Sequence, residues 1–174
     1  MNTVSIQKNP PRDPARYGSI NMWHNLKGYF FSAGVFGGLG LMTLAAIFIG
    51  PFEAGLIAFK IIASLVLCYI GVRLIFKAVK GHRDRVQAFT AGTLRRGEIV
   101  SHGGTFVIWK SSRFYTLIVQ LRTDEGRVLE KKIRSENASI HTDYPLHDEM
   151  DVLVDIATGA MFVPPEVDIK AVFE

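Results

Sequence analysis

Residues 29–50 read YFFSAGVFGGLGLMTLAAIFIG, 22 consecutive positions without a charge. At about 1.5 Å per residue, such a helix covers the roughly 30 Å hydrocarbon core of a bilayer. A core helix of a soluble protein would keep a polar face, and this run has none on any side. Nor does it read as a cleaved signal sequence. The apolar run is too long, the segment before it is long, and no small-residue cleavage site follows. The stretch predicts a transmembrane helix, and the rest of the chain is read outward from it.

A second apolar run, GLIAFKIIASLVLCYIGVRLIF over residues 55–76, begins almost at once after the turn Gly50-Pro51-Phe52-Glu53. Pro51 stops the first helix and suits the first turn of the next. So short a link forces an antiparallel hairpin over residues 29–79. Lys60 and Arg73 lie on either side of the midpoint, each about 10 Å from it. Their long stems let both cations snorkel to opposite headgroup layers. With Trp23 and Tyr29 near the entry point, they are the expected membrane anchors. The spans hold no Asp or Glu to partner a buried cation, so an ion or proton relay is not expected. Gly34-x-x-x-Gly38 is the small-residue spacing that lets helices approach closely. Ala63 and Gly71 on the second run are its expected receivers, either within the hairpin or between copies.

Charge divides the chain. Residues 1–28 carry +3, residues 77–96 carry +5 and residues 97–174 carry −5. Basic flanks on both sides of the hairpin place both termini in the cytoplasm of a bacterial inner (cytoplasmic) membrane by the positive-inside rule. The acidic balance of the C-terminal region argues against nucleic acid as a partner. Residues 1–28, with three prolines between residues 10 and 14, read as a flexible basic tail with a possible interfacial helix. Residues 80–91 read as a basic juxtamembrane linker.

From Gly92 the period changes. Tyr115, Leu117, Val119 and Leu121 alternate, Thr123-Asp124-Glu125-Gly126-Arg127 is a hairpin turn, and VLEKKIR returns. Met150, Val152, Val154 and Ile156 face inward, with Asp151 and Asp155 outward. Phe106, Trp109, Phe114 and Tyr115 are expected among core and strand-pair positions. Several short strands within residues 92–174 suit a small antiparallel all-β domain, an OB-like barrel or rolled sheet, because closure removes exposed edges. The fold class is thus a two-helix transmembrane hairpin plus a cytoplasmic β-domain.

This layout resembles the NfeD-type membrane proteins and similar uncharacterised bacterial two-span proteins. The shared features are the strand–TDEGR–strand hairpin and the late DEMDVLVDIATGAMFVPP, in which His147-Asp148-Glu149 replaces a Gly-Asp approach to the strand. The resemblance implies a barrel that serves as an interaction module and carries over no catalytic residue. The sequence itself shows no phosphate loop, no HExxH, no nucleophile elbow and a single cysteine, Cys68, so no catalytic residue and no cofactor is assigned. His141, Asp143 and His147 are candidate metal ligands by residue type. The leading expectation is a non-catalytic scaffold, assembly or regulatory subunit of a larger membrane complex. Its partners are the lipid bilayer and a protein, or a second copy, met through the spans and the β-domain. The alternatives are a small membrane-bound enzyme or metal-binding protein using the 141–148 loop, and an immunity or stress-response protein acting through its spans.

Overall fold

The computed structural model describes residues 2–17, 20–23, 26–49, 54–107, 112–167 and 169–174. Glu53 and Trp109 lie outside the described residues, as does the side chain of Phe106. The chain divides into two compact units, Leu26–His82 and a second built from Met1–Asn25 with Arg83–Glu174.

The first unit is a helical hairpin. Helix α1 spans Lys27–Ala45 and helix α2 begins at Ala54. Both are long and apolar enough to cross a membrane, and only 11% of each apolar window is buried within the protein. That openness separates them from soluble core helices. The two helices meet along a seam of small residues. A side chain on Gly40 would meet Cys68 Sγ at 2.7 Å and the Ser64 carbonyl at 3.1 Å, and one on Gly71 would meet the Ala33 carbonyl at 3.1 Å. Ser64 Oγ donates to the Gly40 carbonyl (2.8 Å), so the one buried hydroxyl of the seam is satisfied. Gly34 and Gly38 correct the expected phase. Neither has anything within 4 Å of a would-be Cβ. The seam instead follows Ala33, Gly37 and Gly40, one residue round the helix from the GxxxG pair, and Ala63 is only half-buried. The motif marks a face that can be approached, without choosing between a neighbouring helix and open surroundings.

Lys60 was expected to reach outward. It is half-buried, and its ammonium donates to the Ala46 carbonyl at the end of α1 (3.1 Å). It therefore satisfies one of the last carbonyls of that helix and opposes its negative end. Arg73 is exposed. Lys77 sits over the Tyr29 ring, 5.5 Å from its centroid. Lys60→Leu should cost the hairpin about 0.3–1 kcal/mol. Thermal unfolding in detergent checks this, and an unchanged transition would argue against the cap.

Helix α2 does not end where the apolar run ends. It continues unbroken to Ala91, 38 residues in all, so the stretch expected as a linker is helical. No proline interrupts it, and Ala88 and Phe89 are fully buried, which supplies the tertiary support the basic composition concealed. Gly92 stops the helix, its N–H donating to the Ala88 carbonyl (3.0 Å). A Cβ there would stand 2.2 Å from that same oxygen.

The second unit is built on a five-stranded antiparallel, barrel-like sheet. Its strands are β2 (Thr93–Val107), β3 (Ser112–Arg122), β4 (Val128–Ser135), β5 (Glu149–Asp155) and β6 (Ala160–Phe162), in the order β4-β3-β2-β5-β6. The β3–β4 turn is the expected one, with Gly126 at φ 77°. Ile99, Leu117, Val119, Ile133, Met150, Val152 and Val154 pack into one core. Leu153 and Phe162 form a second core with Ala88 and Phe89 of α2. Phe89 meets Tyr17 and Phe162 edge-to-face, each at 5.2 Å.

The N-terminal segment is the largest departure from expectation. Instead of a tail, Asn2–Ile6 forms strand β1, paired in parallel with strand β7 (Ile169–Phe173). Ile6, Ile20 and Met22 are buried in the second core. Trp23 belongs to this same segment and folds with the barrel unit. Prolines and scattered apolar residues hid a segment ordered by its pairing with β7 and by its place in the second core.

Candidate functional site

The loop singled out for metal chemistry does not assemble a site. Residues Ile140–Asp143 form one helical turn, α3, anchored by the buried Ile140. The His141 ring stacks on His102 of β2 (centroids 4.4 Å apart, 5° between planes) and takes the edge of Tyr115 at 5.3 Å. His102 Nε2 donates to the Tyr144 carbonyl (2.8 Å) and His141 Nε2 to the Thr116 carbonyl (3.3 Å). Rings stacked in parallel do not converge two lone pairs on one ion. Asp143 accepts from Ser139 Oγ (2.6 Å). His147, at φ 64°, is exposed and turns to Glu98, with Nδ1 3.0 Å from Oε1. So His141, Asp143 and His147 point to three different partners. Among the described residues, no three His, Cys, Asp or Glu side chains come together as a metal group would require. Burial and the nearby Asp143 both push the Tyr144 phenol up.

The structure gathers charge elsewhere, around Glu166. This residue sits in the helical turn Pro164–Val167 after β6 and is 3% exposed. Arg85 Nε of α2 donates to Oε2 (3.0 Å), and Lys131 Nζ of β4 donates to Oε1 (2.8 Å). The Val163 N–H also donates to Oε1 (3.2 Å), and Arg85 reaches the Met22 carbonyl (3.0 Å). Two cations and a backbone amide thus share one buried carboxylate, which offsets its desolvation. Lys131 makes a further contact with the Met161 carbonyl of β6. Strands β4 and β6 are the two edges of the sheet, so this ammonium crosses the gap in the barrel where no ladder runs.

A second buried cation, Arg12, is fully inaccessible. Its guanidinium donates to the carbonyls of Phe89 (3.2 Å) and Gly92 (2.7 Å), and also to those of Gln7 and Lys8. Its own N–H donates to the Thr90 carbonyl (2.9 Å). Arg12 therefore closes the C-terminal end of α2, where positive charge is favoured. Burial lowers its pKa, with Tyr17 opposing the shift.

Neither Glu166 nor Arg12 had a sequence signal. Their partners on or just after α2 are distant in sequence, Arg85 at 81 residues from Glu166 and Gly92 at 80 from Arg12, and no local pattern marks them.

Asp155 ends β5. Desolvation raises its pKa, but hydrogen bonds from Thr158, Gln87 and the Ala157 and Thr158 amides outweigh this and hold it below the usual carboxylate range. Gln87 Nε2 of α2 is 2.7 Å from Oδ2. A depressed carboxyl stabilises the fold above its unfolded pKa, about 3.9, and the gain disappears as pH falls through the lower folded value. Asp155→Asn should therefore lower the melting temperature at pH 6, and the gap to wild type should close in acid below about pH 4. Melting curves across this range check it.

The surface around Arg95 and Arg96 is open. Arg95 pairs with Asp124 and Arg96 with Glu149, both at exposed positions where such pairs contribute little. No family model, curated protein or solved structure matches the chain.

Proposed function

We propose that this chain is a two-span protein of the bacterial inner membrane, acting without catalysis as a scaffold, assembly or regulatory subunit of a larger membrane complex. The observation that carries the reading is the open apolar surface of α1 and α2, of which only 11% per window is covered by the protein itself. Phe31, Met42, Phe59, Ile62, Leu65 and Phe76 are all more than 60% exposed, a surface suited to lipid and to other helices. The pairing of β1 with β7 supports the hairpin topology. The segments before and after the helices fold as one unit, so both belong on the same side of the bilayer, as two crossings allow. The basic flanks make that side the cytoplasm. In the barrel unit, the clustered charges have structural work: Glu166 is held by Arg85 and Lys131, and Arg12 closes a helix end. The resemblance in layout to NfeD-type proteins, with the barrel as an interaction module, points the same way.

Gly34 and Gly38 provide the test, because neither touches the hairpin seam. Changing both to Leu should leave insertion and the hairpin intact, since Leu is favourable in lipid. Association through that face should be lost. Crosslinking in native membranes should recover a partner, or a second copy, with wild type and recover less with the double variant. If wild type yields no crosslinked species and both run as the same monomer in mild detergent, the scaffold reading falls. An active periplasmic phosphatase fused at Glu174 would overturn the topology.

A further inference from the structure

We propose that the last turns of α2 hold the barrel shut, acting through Glu166 on the gap between β4 and β6. Strands β4 and β6 form the two edges of the sheet. Side chains span the space between them: Lys131 of β4 reaches the Met161 carbonyl of β6 and the Glu166 carboxylate. The same carboxylate, through its other oxygen, holds Arg85 of α2. One buried group is thus the common anchor of a helix and of a strand junction.

The turn that carries Glu166 is suited to passing on a displacement. Pro164 and Pro165 open it, and their rings fix φ. Val163 and Pro164 follow β6 directly, and both prolines are buried. A stiff, packed turn moves as a piece instead of absorbing strain in loose torsions. If Arg85 shifts with α2, the turn follows it or the Arg85–Glu166 pair opens. In the first case the Glu166 oxygen facing Lys131 moves with the turn. In the second the carboxylate loses the cation that fixes its other oxygen and is free to rotate. In each, the bridge across the gap loosens. The relation runs both ways, because coupling between two sites through one element is reciprocal.

Amide hydrogen exchange on the full chain in lipid nanodiscs tests the coupling. Arg85→Met should accelerate exchange in β4 (Val128–Ser135) and β6 (Ala160–Phe162) by at least about fivefold, the lower end of ordinary coupling between sites. Amides joining β2 and β3 around Ile99 and Val119 should keep their wild-type rates. Lys131→Met should in turn accelerate the amides of Val86–Ala91. Arg85→Lys retains charge without the guanidinium fork; it should fold even where the Met variant does not, with a smaller rise in the same two strands. Faster exchange confined to the end of α2 in the Arg85 variants would overturn the proposal, leaving Arg85 a local anchor. A uniform rise across all strands would overturn it as well, since that is general loss of stability. Unchanged α2 amides in Lys131→Met would also overturn it.

Discussion

Glu166→Gln should destabilise the barrel unit by about 3–5 kcal/mol, the usual consequence of removing one member of a buried ion group. The amide keeps the shape of the carboxylate, so packing around the 3% exposed side chain is preserved. What changes is charge. Arg85 and Lys131 would then face a neutral group from 3.0 and 2.8 Å. Arg85 is itself buried and has little water to turn to. The amide nitrogen would also be a donor pointed at donors, at whichever oxygen it replaces. By contrast, Arg96→Gln, which breaks the exposed pair with Glu149, should change stability by no more than about 1 kcal/mol. Denaturant titrations of the two variants against wild type make the comparison. Equal effects would mean that the Glu166 cluster is solvated and that its burial is misread.

The second large effect is expected at Arg12. Arg12→Met keeps much of the aliphatic stem and removes the guanidinium. The Phe89 and Gly92 carbonyls lose a buried donor, at about 1–3 kcal/mol for each group left unsatisfied. The Gln7 and Lys8 carbonyls lose theirs as well. Because these four acceptors lie on two segments, the end of α2 and the chain after β1, the substitution should detach the N-terminal strand before it unfolds the five-stranded sheet. Limited proteolysis should cut between Gln7 and Arg16 in the variant and spare wild type. Lys in place of Met should rescue part of the loss, since an ammonium supplies charge to the helix end but has only three donors for four carbonyls. A variant as resistant as wild type would show that the segment is held by its apolar residues alone.

The sequence made some of this legible for specific reasons. Twenty-two positions without a charge left little but a long apolar helix to form, so the apolar helices were plain. Strict alternation in β3 and β5 disclosed the strands, and Gly126 in its turn disclosed the β3–β4 hairpin. The alternation did not disclose that the other face of β5 is covered too: Leu153, between Asp151 and Asp155, packs in the second core with Phe89 and Phe162. Three features lay beyond reach. The phase of the helix seam depends on rotation about the axis, and Gly34, Gly37, Gly38 and Gly40 fit several phases equally well. The extension of α2 depends on Phe89 finding a pocket made by residues from both ends of the chain. Buried Arg12 and Glu166 have the composition of surface residues. Only tertiary structure distinguishes a charge in water from one that holds a helix end.

The parallel pairing of β1 with β7 carries a consequence for synthesis. Ile6 leaves the ribosome roughly 170 residues before its partner Phe173, which at about 5–20 residues per second is a wait of roughly 8–33 seconds. During that interval both apolar helices are made, while the first strand waits without its neighbour. The unit therefore cannot be completed in the order in which it is made. Its earliest residues are held in reserve, and the final strand releases the fold. A protein fused ahead of Asn2 would weigh on this last step far more than on the helical hairpin, giving chains whose helices are formed while the barrel unit matures slowly.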